Sequence, residues 1–270
     1  MEQFSIGRVF SRAFALIRDS FASVGLFVLL LLVIETAMSL ALQPLMLGNL
    51  QAAVAEPGSG PGGNPALALF QSAWYWIVLV TGILVSGLSW SGGVHGLLQQ
   101  ADKGSTTLPA CFEHGVAKFL PVLGLTILWW LGVILGWILL IVPAMILVSM
   151  WAVALPAMVG EDLGVFEAFG RSRDLTRGNR LSIFGVLFLL VIVYYVLAIV
   201  IAGSMLGAGA LTGAFSLENI GNISPWMTLL SLPVAWVSGM LLKSVVASLY
   251  LETVLVKEGA HTDHLSDVFD

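Results

Sequence analysis

The chain has 270 residues; 10% are charged, and 58% are hydrophobic before its 29 Gly are counted. A typical soluble domain is about 25% charged and about 45–50% apolar with Gly included, so this chain has too few polar groups to cover a water-soluble fold, and disorder fails for the same reason. The formal charge of −5 and the few basic residues argue against nucleic-acid binding, and the single cysteine, Cys111, excludes an internal disulfide. What is left is an all-α integral membrane protein with no room for a separate soluble catalytic domain.

Residues 4–19 open the chain as a two-faced helix. Ile6, Val9, Phe10, Ala13, Phe14 and Ile17 follow the i, i+3, i+4 spacing of one face, and Arg8, Ser11, Arg12, Arg18 and Asp19 take the other. Such a helix lies in the headgroup plane, with its apolar face in the acyl boundary and its arginines toward phosphates. The alternative is a helix packed on its own protein. Arg8–Arg18, Val24–Ile34 and Ser39–Ala41 loosely imitate a signal peptide. The leading stretch is too long and too patterned for one, however, and Glu35 interrupts the apolar run, so the first span reads as uncleaved.

A membrane-crossing helix needs about 20 apolar residues. Ala22–Leu47 and Leu67–Leu98 each supply one span. Lys118–Gly160 carries no ionisable group after Lys118 and is long enough for two, with the break expected near Leu139–Pro143 because Pro143 lacks a backbone donor. Leu181–Leu206 is the fifth span. Pro225 to about Val256 is the sixth, long enough to tilt, with Pro233 as a candidate kink. The loops Gly48–Ala66 and Gly207–Ser224 hold Glu56 and Glu218 as their only charges. The 11 basic residues (Arg8, Arg12, Arg18, Lys103, Lys118, Arg171, Arg173, Arg177, Arg180, Lys243 and Lys257) lie on the opposite side or inside one span. Because basic segments stay cytoplasmic, the expectation is six spans in a bacterial inner membrane with both termini cytoplasmic.

The elbow device recurs. Residues 163–178 place Val165, Ala168, Phe169, Ser172 and Thr176 on a quiet face, offer a Glu167–Arg171 pair at i, i+4, and end at Gly178 in a C′ position. Laid over the N-terminal segment so that Phe10 meets Phe169, the copy aligns Arg12 with Arg171, Arg18 with Arg177 and Ser23 with Ser182. A shorter copy starts at Thr107, an N-cap for a helix beginning near Pro109, with Phe112 in the place of Phe10. The chain therefore reads as one membrane domain over 1–258, in a pseudo-threefold repeat of elbow, span, loop, span. The units cover about 4–100, 107–160 and 163–258, and a polar tail over 259–270 carries His261 and His264.

The stretch Glu161-Asp-Leu-Gly-Val-Phe-Glu-Ala-Phe-Gly-Arg-Ser-Arg-Asp-Leu-Thr-Arg-Gly-Asn-Arg-Leu-Ser-Ile-Phe-Gly185 resembles the motif of the glycerophosphoryl diester phosphodiesterase membrane-domain family. The elbow-plus-span layout extends the resemblance over most of the chain. In some bacterial members this membrane region precedes a soluble phosphodiesterase domain; here the hydrolase domain and its metal-binding residues are expected to be absent. The resemblance thus implies no phosphodiesterase activity.

Few residues point to chemistry. Glu35 sits within the first span and reads as a proton, cation or substrate site, or as a carboxyl that fixes packing. Lys243 lies in the sixth span at a similar depth, about 20 Å from the inner edge at about 1.5 Å per residue, which leaves pairing between the two open. His95 and His114 are isolated from any metal-ligand spacing, Cys111 reads as a packing residue, and no nucleophile or phosphate-loop motif occurs. No cofactor, metal or catalytic residue is expected. Small residues four apart (Gly82/Ser86, Gly92/Gly96, Gly132/Gly136, Gly203/Gly207) suit close helix packing within the bundle or, alternatively, a homo-oligomer contact. The leading expectation is a non-enzymatic polytopic protein that binds or organises anionic membrane lipid, or a membrane partner, through Arg8, Arg12, Arg18, Arg171, Arg173, Arg177 and Arg180. The alternative is a small permease using Glu35 as an intramembrane polar site.

Overall fold

The computed structural model describes residues 4–55, 70–211 and 225–259. Glu56, Glu218 and the tail histidines lie outside these residues. Ser5 accepts from the Arg8 amide at 3.5 Å and starts α1 (Ile6–Asp19). A turn of π-helix (Phe21–Gly25) leads into α2 (Leu26–Ala55), followed by α3 (Ala73–Lys103). Thr107 caps α4 (Leu108–Ala117) by accepting from the Ala110 amide. Then come α5 (Phe119–Leu139), α6 (Ile141–Met150), α7 (Ala154–Gly160), α8 (Val165–Thr176), α9 (Arg180–Leu211) and α10 (Pro225–Val254).

Among the described residues six helical stretches are long and apolar enough to cross a membrane: Phe21–Leu45, Ala73–Lys103, Phe119–Leu139, Val142–Gly160, Arg180–Ile199 and Ser231–Gly259. The architecture is all-α, and α1, α4 and α8 are the three short elbows, each directly ahead of a span. The expected break near Leu139–Pro143 falls at Leu140, a single extended residue between α5 and α6. Two features differ from the sequence reading. The first helix runs on to Ala55, beyond Leu47, and the fourth span is interrupted at residues 151–153, between α6 and α7.

Packing groups the chain into two units, residues 1–28, 87–196 and 237–270 in the larger and 29–86 and 197–236 in the smaller. The larger unit contains all three elbows. In α1 the buried stripe is Val9, Ala13 and Leu16, while Ile6 and Phe14 stay exposed. The helix thus turns one apolar strip to the protein and leaves flanking apolar side chains facing outward, as an interfacial helix does. In α4, Cys111 is fully buried against α3. In α8, Ala168, Ser172, Leu175 and Thr176 are buried and Phe169 packs on the Trp151 ring at 4.8 Å.

Glycines make these approaches feasible. A Cβ on Gly92 would stand 2.2 Å from the Cys111 carbonyl oxygen and 2.6 Å from Phe27 Cζ, and one on Gly96 would stand 2.6 Å from Cys111 Sγ. Gly132 likewise faces Trp151 and Gly136 faces the Ala144 backbone. The four-residue steps at 92/96 and 132/136 therefore serve packing within the chain. The α8 elbow is pinned where α6 stops: Ser172 Oγ donates to the Met150 carbonyl at 2.8 Å, satisfying an acceptor left open by the helix end.

Gly92→Ala should lower thermal stability in detergent by about 1–3 kcal/mol, because backbone and ring must shift to admit one methyl. Gly124→Ala, where the nearest atom is 3.7 Å away, should leave the melting temperature unchanged or slightly raised. Melting curves of the two purified variants check both.

Candidate functional site

The arginines of the elbows divide into two groups. The first is used inside the protein. Glu252, on the last turns of α10, is 1% exposed and accepts from Arg8 Nε at 2.9 Å and from the Ser5 amide at 3.2 Å. Arg12 Nη1 stands 3.9 Å from its other oxygen. Arg171 donates through Nε to both oxygens of Glu161, at 2.9 and 2.8 Å, and also pairs with Glu258. Burial pulls the Arg171 pKa down, but the bonds to Glu258 and Glu161 outweigh it and hold the pKa above its ordinary value. Tyr250 donates to Glu161 Oε1 at 2.8 Å. Each of these two elbows is thus tied to a carboxylate of its own chain, the third through Arg171 and the first through Arg8, with Arg12, the residue aligned with Arg171, standing nearby at 3.9 Å. The expected Glu167–Arg171 pair does not form. Glu167 Oε2 instead accepts from the Gly164 amide at 2.9 Å and caps α8.

The second group faces outward. Arg18 is exposed and, among the described residues, pairs with its neighbour Asp19. Arg173, Arg177 and Arg180 line one cavity of about 640 Å³, together with Gly170, Asp174, Gly178 and Leu181. The local sequence builds it. Residues 170, 173, 174 and 177 share one face of α8 and its exit at i, i+3, i+4 and i+7. Gly178 then takes φ +95°, a left-handed turn open to glycine at little steric penalty. That turn brings Arg180 and Leu181, the first residues of α9, to the same hollow. Among the described residues Arg173 and Arg177 have no acidic partner, and Arg180 Nε is buried with no hydrogen-bond acceptor. Leu181 is 86% exposed at the rim, and Phe166 of α8 is also exposed.

The other candidates are placed separately. Glu35 Oε1 lies 3.5 Å from where a Cβ on Gly82 would stand, within the smaller unit. In the larger unit Lys243 is 6% exposed, with its ammonium 5.0 Å above the Trp90 ring and its methylenes against Gly93. His95 and His114, remote in sequence, stack with centroids 3.6 Å apart and planes 10° from parallel. Burial, then the charge of Lys118, hold the His114 pKa below its ordinary value, with Asp162 pulling the other way; Asp162 itself is held low by its bond to Lys118. Burial pushes the Cys111 thiol up, in keeping with a packing residue. No group of three His, Cys, Asp or Glu among the described residues is arranged to hold a metal ion.

Sequence reasoning reached the seven arginines but missed Glu252, Glu161, Glu258 and Tyr250 as their partners, and Gly178 and Leu181 as parts of the hollow. No family model, curated protein or solved structure matches this chain.

Glu252→Gln should lower stability by about 1–2 kcal/mol. This is the lower part of the range for hydrogen bonds to charged groups, because Arg8 is 42% exposed. Arg8→Gln combined with Glu252→Gln should lose less than the sum of the two singles in chemical denaturation. For His114, a depressed folded pKa means the neutral ring is the stabilising form. Its contribution is complete above about pH 6.5 and is lost as the pH falls from there toward the folded value. The melting temperature of the wild type should therefore fall between pH 7.5 and pH 5 by more than that of His114→Phe, which keeps a ring in the stack without a titrating group.

Proposed function

We propose that this chain is a non-enzymatic polytopic membrane protein that binds anionic lipid at the cytoplasmic face of a bacterial inner membrane. In this reading the elbows lie at the headgroup level of the inner leaflet. The carrying observation is the hollow between α8 and α9, where three arginines not committed to an acidic partner meet a rim of exposed Leu181. Guanidinium forks match phosphate oxygens, and an outward leucine beside them matches an acyl chain. Phe14 and Phe166, on two of the elbows, are also exposed apolar side chains that suit an acyl boundary. The absence of Lys and Arg from 48–66 and 207–224 supports the orientation. The resemblance of residues 161–185 to the glycerophosphoryl diester phosphodiesterase membrane-domain family belongs to this reading, since the hollow is built from that same stretch.

Lipid retention tests it. The full chain, purified in mild detergent and exchanged with phosphatidylglycerol or phosphatidylcholine, is compared by native mass spectrometry with a variant carrying Arg173→Gln, Arg177→Gln and Arg180→Gln. The wild type should keep phosphatidylglycerol in preference, and the variant should lose that preference by about tenfold or more, since each arginine near the surface contributes roughly 1 kcal/mol. Equal retention by both proteins would refute the assignment. Because Arg8, Arg12 and Arg171 are tied to carboxylates, neutralising them should chiefly alter stability instead.

A further inference from the structure

We infer that the α8–α9 hollow selects a phosphate monoester, a headgroup bearing two negative charges and three terminal oxygens, over a phosphodiester. The inference rests on the lipid reading above and narrows its ligand. The first argument is charge. Three guanidinium groups and one carboxylate, Asp174, line the hollow, which leaves two positive charges to be balanced. A phosphodiester brings one negative charge, whereas a phosphate monoester carries about −1.5 to −2 at neutral pH.

The second argument is the count of acceptors. Arginine recognises phosphate through paired N–H donors, and each fork needs its own oxygens. A diester offers two terminal oxygens to three guanidinium groups; a monoester offers three. The third argument is Arg180. Its Nε is withdrawn from solvent with no acceptor, and a buried, unsatisfied donor of a charged group is costly unless something fills it. Leu181, next in sequence, stands outward at the rim, where the ester-linked chain of a lipid monoester would leave the hollow.

A lipid monoester and a soluble phosphate ester share this chemistry, and competition separates them. The full chain in phosphatidylcholine nanodiscs is loaded with fluorescent phosphatidic acid or, separately, fluorescent phosphatidylglycerol. Binding is read with and without millimolar inorganic phosphate. The expected result is at least about tenfold tighter binding of phosphatidic acid, the effect of one added charge-assisted contact. Arg180→Gln should abolish the preference while phosphatidylglycerol binding persists. Arg180→Lys, which keeps the charge and loses the Nε donor, should give an intermediate preference, and the melting temperature of each variant verifies folding. Full displacement of phosphatidic acid by inorganic phosphate would assign the same site to a soluble phosphate monoester, and resistance to it would assign the lipid. Equal binding of the two lipids, unaffected by Arg180→Gln, would overturn the monoester selectivity and leave the anionic-lipid reading standing. Binding of neither lipid would remove both.

Discussion

A carboxylate removed from water must meet positive charge, and Glu252 is the residue on which this constraint falls hardest. Its side chain is almost wholly buried near the end of α10, and its partners come from the other end of the sequence, from Ser5, Arg8 and Arg12. Leaving such a charge unpaired would be strongly destabilising. The first elbow is therefore held against the last span. Arg171 does the same for the third elbow through Glu161 and Glu258, with Tyr250 as a further donor to Glu161.

That arrangement gives the remaining arginines their meaning. A basic amphipathic helix in isolation suggests that every cation faces phosphates. Here Arg8 and Arg171 are bonded to carboxylates of the chain, with Arg12 3.9 Å from Glu252, whereas Arg173, Arg177 and Arg180 meet no acidic side chain among the described residues. Arg173, Arg177 and Arg180 line one hollow where the chain turns at Gly178 between α8 and α9. The tie supplies the rigidity: α8 is fixed by Ser172 on the Met150 carbonyl, by Phe169 on Trp151 and by Arg171, so the hollow rests on a braced helix.

The spans were legible because composition and length suffice for them: runs without ionisable groups became helices, and the break by Pro143 fell at Leu140. The elbows were legible through Thr107, whose cap signature holds, and through the repeated Phe and Arg spacing. The interruption at residues 151–153 does have a trace, Pro156 in the first turn of α7, which lacks a backbone donor as Pro143 does, but the acceptor that the break frees is answered from α8, far along the chain. Partner choice was hidden for a similar reason. Helical spacing pairs Arg171 with Glu167, but Gly164 needs a cap and Glu161 lies nearer the guanidinium in space. The stacking of His95 with His114 depends on the close seat of α4 over Gly92 and Gly96, which small-residue spacing hints at without naming what fills it.

The turn at Leu140 bears on how the chain enters a bilayer. Between α5 and α6 a single apolar, exposed residue replaces a loop, and Gly136 lies against the backbone of Ala144. From Phe119 to Gly160 there is no ionisable side chain. Biogenesis of this hairpin therefore moves no charge and no polar tip across the membrane. The hairpin tip is as apolar as its two arms.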